Sequence, residues 1–262
     1  GMAVRPEQLL GFRREPSTTL RALAAMFVVM PLAVLLIWRV LPLPTVSLVT
    51  LLALYVSPTP PIFVGKAHKV GAGDDYAVGL FALAAMACLV AAPTGLTLAS
   101  AIVGQPLPFA LRGVILTLAI TAIVPLGLGM AVARLFPAVL KARSALQTLG
   151  TVLLAGAALM ILAGAWPLLQ QLPRDGTLVA IVLLVVLGLA TGHWLGDPRM
   201  GNRAALASAT AMRHPGIGIA IAGAALPGEQ PKVAAVVLAF LLGNVALGAV
   251  YSRLVGRGRG QA

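Results

Sequence analysis

The sequence predicts an all-α, multi-pass membrane protein, and three observations carry that prediction. Only ten per cent of the residues are charged and the mean hydropathy is +0.99, whereas soluble domains carry about 25% charged residues. Apolar stretches close to the ~20 residues needed to cross a hydrocarbon core recur along the whole chain. Two of those stretches are interrupted: one by Ser57-Pro58-Thr59-Pro60-Pro61 with Lys66, His68 and Lys69 behind it, the other by Arg213-His214-Pro215-Gly216.

In chain order the apolar segments fall at about 21–41, 44–72 (broken), 76–99, 112–136, 146–168, 177–196, 203–226 (broken) and 232–252. Asp74 and Asp75 are placed to cap the third, Pro173-Arg174-Asp175-Gly176 reads as a turn, and Asp197-Pro198 separates the sixth from the seventh. Pro31 and Pro125 lie inside apolar segments and are expected to kink them. Trp38, Trp166 and Trp194 fall near segment ends, as interfacial belts require. Eight crossings joined by short loops follow, with no soluble domain attached.

The net charge of +12 is distributed as membrane topology demands and not as a nucleic-acid footprint. With eight crossings, one side collects Arg5, Arg13, Arg14, Arg21, Arg134, Lys141, Arg143, Arg199, Arg203, Arg253, Arg257 and Arg259. The other has Arg39, Arg112, Arg174 and Lys232. This imbalance puts the first side and both termini in the cytoplasm, and a bacterial inner membrane is the expected location. Lys66, Lys69 and Arg213 are left over, inside the broken segments. Cys88, the single cysteine, excludes an internal disulfide.

A cation at bilayer depth costs at least about 2.5–3.5 kcal/mol, and irregular backbone there survives only against protein or water. Paired interrupted helices, one early and one late, are the sequence pointer to a transporter binding site. Pro58, Pro60, Pro61 and Pro215 are the helix-breaking residues. Half-helices restarting near Ile62 and Gly216 direct unpaired N–H groups and positive dipole ends at the midplane, an arrangement suited to an anion. The residues expected to bind substrate are Lys66, Arg213, His214, Thr59 and Gly216; Arg213 offers a two-pronged carboxylate grip and Lys66 a compact charge. Lys66, His68 and His214 are candidates for exchanging a proton during turnover.

Blander readings accompany these. Lys66 and Lys69 also fit snorkelling to the interface, and His68 fits a structural role. His193 beside Trp194 reads as interfacial, and Asn244 as a hydrogen-bond partner for a neighbouring helix. An embedded enzyme is disfavoured: the three histidines lack ligand spacing, HExxH and GxSxG are absent, and carboxylates are nearly missing from the apolar segments. An anion channel and a non-transporting receptor or scaffold are the readings from other classes.

Arg13 to Gly73, with Met30-Pro31-Leu32 in one helix and Ser57-Pro58 opening the break, resembles the third and fourth helices of the bile acid:sodium symporter family. The likeness continues through Pro125-Leu126-Gly127 and Arg134-Leu135-Phe136-Pro137. It is sharpest at Ala211-Met212-Arg213-His214-Pro215-Gly216-Ile217, which is similar to the family's ninth helix. The resemblance implies ten helices in two inverted repeats, with the fourth and ninth crossing as broken helices near the midplane. On that pattern the chain is a single transporter domain over 1–262: residues 1–99 are the remainder of a first repeat, 112–252 the second, and 253–262 a cytoplasmic tail. Gly1-Met2-Ala3-Val4 before Arg5-Pro6-Glu7 resembles the end of the second helix, so the first two helices are expected to be missing.

Sodium sites in that family are built from a Glu and a Gln or Asn at the second break, Ser and Asn at the first, and Ser and Thr on the following helix. Here Ala209 stands at the Glu position, Arg213 at the Gln, and Lys66 near the Ser/Asn position, while the Tyr76–Ala85 stretch has no Ser or Thr. Sodium wants several oxygen ligands, and these positions do not supply them. The expectation is therefore a secondary transporter of a small organic anion, proton-coupled or uncoupled, whose tethered cations replace bound sodium. No metal and no cofactor is expected. The alternative is sodium-dependent symport as in the family itself.

Overall fold

The computed structural model describes residues 16–104, 106–136 and 143–259, and these form helices joined by turns and short loops, with no strand among them. The sequence readings at Arg5, Arg13, Arg14, Pro137 and Lys141, and at the chain's first and last residues, lie outside them. Ten helical elements result: α1 (Pro16–Val40), α2 (Thr45–Val56), α3 (Ile62–Lys69), α4 (Asp74–Val103), α5 (Leu111–Leu135), α6 (Arg143–Leu169), α7 (Thr177–Leu195), α8 (Met200–Ala211), α9 (Pro215–Ala225) and α10 (Gln230–Arg259). Among the described residues, α1, α4, α5, α7 and α10 are each long and apolar enough to span a bilayer. The chain is a multi-pass α-helical membrane protein.

Both expected breaks are present. α2 ends at Val56 and α3 restarts at Ile62; α8 ends at Ala211 and α9 restarts at Pro215. Proline dictates the first, since three prolines in four positions remove three N–H donors and fix φ near −65°. At the second, Pro215 takes the first helical position of α9, where its missing N–H costs nothing.

Pro31 and Pro125 act through a specific device. Each is preceded by a five-residue π-helical segment, Ala25–Val29 in α1 and Ala119–Ile123 in α5. A proline ring cannot fit under the carbonyl four residues back, and widening the preceding turn relieves that clash. In α1 this wide turn lies against the second break.

One expectation needs correcting. Asp74 and Asp75 do not cap a helix starting at Tyr76; α4 begins at Asp74 itself, after Gly73, and no side chain caps it. Asp74 instead pairs with His68 at 2.9 Å, and both acids sit in the first turn, where the helix dipole favours them. Asp175 does act locally, its carboxylate accepting the Thr177 N–H at 3.0 Å ahead of α7. Gly176 makes the bend there with a φ of +77°, in the left-handed region that only glycine enters cheaply.

Side-chain links define two ends of the bundle. At one end Arg39 donates to the Ile102 carbonyl at 3.1 Å, and the Ser47 and Thr177 hydroxyls meet at 2.7 Å. At the other, Asn202 accepts the Gly73 N–H at 3.3 Å, and His193 Nδ1 lies 2.7 Å from the Tyr251 hydroxyl.

The closest packing joins α7 to α8. A Cβ placed on Gly188, Gly192 or Gly196 would come within 2.5–2.8 Å of the Cα atoms of Ala211, Ala207 and Arg203 in turn. Glycine at every fourth position is how apolar helices reach backbone contact where no hydrophobic effect drives them together. Gly192→Val is therefore expected to lower stability by at least about 1–3 kcal/mol. Gly127→Val, where a Cβ meets nothing within 4 Å, should cost far less. Thermal unfolding of both variants in detergent checks this; equal melting temperatures would contradict the packing.

Candidate functional site

The two breaks touch. The His214 N–H donates to the Pro58 carbonyl at 2.9 Å and approaches Ser57 Oγ at 3.2 Å. The Ser57 hydroxyl donates in turn to the Leu54 carbonyl at 2.6 Å, which also accepts the Ser57 N–H at 3.0 Å where α2 stops. His214 is also the N-cap of α9, its Nδ1 accepting the Ile217 N–H at 3.4 Å. Glycine at 218 lets α9 lie directly on α2, since a Cβ there would meet Leu54 Cδ2 at 2.6 Å.

Arg213 fills the centre of this crossing and is 1% exposed. One terminal nitrogen donates to the Met26 carbonyl at 2.6 Å, in the π-helical turn ahead of Pro31, and the other donates to the Ser57 carbonyl at 3.3 Å. The guanidinium carbon lies 5.4 Å from the centre of the Phe27 ring and 5.3 Å from that of Tyr55. Tyr55 packs edge-on against Phe240 of α10. A desolvated cation thus meets carbonyl dipoles and aromatic faces, the neutral partners that best replace its hydration. No carboxylate is among these contacts. Arg213 Nε, Tyr55 Oη and Thr59 Oγ1 are buried here without a protein hydrogen-bond partner among the described residues.

Lys66 lies elsewhere. With Lys69, Ser208, Met212, Asn244 and Ser252 it lines a cavity of about 310 Å³ between α3, α8 and α10. Lys66 is half-buried and Lys69 exposed, and the described lining has no acidic residue. The expected joint grip of Lys66 and Arg213 is not formed. Arg213 is turned into the crossing, held by carbonyls and rings, while Met212, one residue earlier, faces the cavity. The two cations serve separate places.

The remaining candidates divide likewise. Thr59 is buried in the first break, Gly216 is exposed at the start of α9, and His214 is half-buried between the breaks. The start of α3 does not direct free N–H groups inward as expected, because the Phe63 and Val64 N–H groups bond to the Pro60 and Pro61 carbonyls. His68 is exposed and held by Asp74, away from the crossing. Asn244 bonds its own helix at the Phe240 carbonyl, 3.1 Å, and not a neighbour as expected.

Ser208, Met212, Asn244 and Ser252 are cavity residues that sequence reasoning missed. Asn244 inside the apolar run of α10 and Ser252 two turns later, near the end of that run, were the available signal.

No protein-family profile matches this chain, and no curated protein sequence is detectably similar to it.

The geometry separates a structural cation from a cavity cation. Arg213→Ala should destabilise the protein by about 3 kcal/mol or more, since charged hydrogen bonds contribute about 1.5–3 kcal/mol and a large buried side chain leaves a void. Lys66→Ala should cost less than about 1 kcal/mol. Melting temperatures of the two variants read this directly, and a greater loss in Lys66→Ala would reverse the assignment.

Proposed function

We propose that this protein carries small organic anions across the membrane by alternating access around the two crossed breaks. The observation that carries the reading is the cavity lined by Lys66 and Lys69 beside that crossing, with two ammonium groups, three neutral polar side chains and no acid in its described lining. At about 310 Å³ it lies at the small end of the range for small-molecule sites. Lys66 and Lys69 supply charge, Ser208, Ser252 and the Asn244 amide supply hydrogen bonds, and Met212 gives an adaptable apolar contact.

On this reading α2–α3 and α8–α9 each make one broken crossing. With the other six long helices that gives eight crossings, arranged as part of the inverted-repeat pattern the sequence resembles. The bundle end carrying Arg199, Arg203 and Arg253 is cytoplasmic by the positive-inside rule, so the cavity with Lys69 and Ser252 belongs to the cytoplasmic half. A bacterial inner membrane fits this orientation.

Coupling to sodium is not part of the proposal. Arg213 places a positive charge at the position the resemblance assigns to a sodium ligand, and Ala209, buried on α8, has no side-chain oxygen to offer a cation. Lys66 and His214 are the groups able to exchange a proton with bulk water through the cavity or the crossing.

Uptake of radiolabelled organic acids into proteoliposomes tests this. Transport should persist when choline replaces sodium, and Lys66→Ser should raise the half-saturation concentration roughly tenfold. An imposed pH gradient that accelerates uptake would assign proton coupling, and indifference to it would assign uncoupled transport. Uptake abolished by removing sodium would overturn the reading.

A further inference from the structure

A second concavity lies outside this site. Between the ends of α7 and α10 an apolar groove of about 770 Å³ is walled by Val186, Leu189, Leu247 and Val250 and closed at its end by Met200. Its polar feature is the His193–Tyr251 pair, the imidazole and phenol 2.7 Å apart with their rings edge to face. Trp194 stands at its lip, 83% exposed, as an indole does at the headgroup level.

The charge around its end is unbalanced. Asp197, the acid nearest in sequence, is held by a forked pair of bonds from Arg199, Nε at 3.1 Å and Nη2 at 3.0 Å, and this pairing keeps its carboxyl below the ordinary carboxylate range. Asp197 therefore stays ionised and is neutralised internally. Arg203 is half-buried beside the groove, and its guanidinium makes a single hydrogen bond among the described residues, from Nε to the Asp197 carbonyl at 3.3 Å. Met200, three residues earlier on α8, lines the groove. Arg253 is exposed on α10, beside the groove residue Leu254 in sequence.

From this juxtaposition we infer that the groove is a binding site for an anionic phospholipid. An acyl chain lies along the α7–α10 walls, the phosphate rests between Arg203 and Arg253, and the His193–Tyr251 pair donates to the glycerol or phosphate oxygens. A basic pocket between membrane helices at one bilayer surface is the recurrent setting for such headgroups. A free phosphate would leave the apolar walls uncovered, and a zwitterionic lipid would leave the arginines uncompensated. The site is independent of whether the protein carries anions.

Purified protein in detergent, titrated with dioleoyl-phosphatidylglycerol, dioleoyl-phosphatidylcholine or glycerol phosphate, decides the matter. Phosphatidylglycerol alone should raise the melting temperature. Arg203→Gln and Arg253→Gln should each weaken its binding roughly fivefold, and Val250→Trp should abolish it by filling the groove. Native mass spectrometry of the unaltered protein in an equimolar lipid mixture needs no variant, and should show phosphatidylglycerol retained in preference. Equal retention of the two lipids, equal stabilisation by glycerol phosphate, unchanged affinity in both Gln variants, or a lipid-free dimer burying Trp194 would each overturn the assignment.

Discussion

Everything around the crossing is arranged to bury one guanidinium. An arginine at membrane depth is tolerable only if its hydration is replaced, and here no carboxylate does so. The replacement is assembled from neutral parts: the Met26 carbonyl of α1, the Ser57 carbonyl where α2 stops, and the faces of Phe27 and Tyr55. Three segments distant in sequence must therefore come together before Arg213 can be buried. The charge thus specifies a meeting point as well as stabilising it.

Each partner is available because of a local sequence feature. Pro31 forces the wide turn that contains Met26, and the Pro58–Pro61 run ends α2 so that the Ser57 carbonyl has no helical N–H to accept. Pro215 starts α9 without needing a donor, which leaves the preceding residues free to run in extended conformation past the first break. Backbone-to-backbone contact through Gly188, Gly192 and Gly196 holds α8 against α7, and Gly218 makes room on α9 for the Leu54 side chain of α2. Small residues and prolines thus set the positions from which one arginine acts. With Arg213 committed to the crossing, Lys66 is left to the cavity as the charge that a solute can meet.

The helical class, the breaks and most segment bounds were legible because they follow from hydropathy and from proline, which act locally. His214 as part of the second break was legible for the same reason. The direction of the Arg213 side chain was not. Sequence gives the depth of a residue in a membrane segment, whereas its rotation about the helix axis is set by neighbours such as Phe27 and Tyr55 from other segments. The same gap hid the cavity, because Ser208, Asn244 and Ser252 become one lining only when α8 and α10 are placed side by side. Asp74 was misread as a cap because its pairing with His68 closes a loop between two helices, which composition alone does not reveal.

The most direct test of the account is a double-mutant cycle on thermal unfolding between Pro31→Ala and Arg213→Met. Alanine at 31 restores an N–H and lets α1 run as a regular helix, in which the Met26 carbonyl is taken by the Met30 N–H. If the proline-driven turn exists to present that carbonyl to Arg213, the two losses must couple by at least about 1 kcal/mol. Losses that add to within about 0.5 kcal/mol would show that the π-helical turn and the buried guanidinium are independent, and would contradict the account.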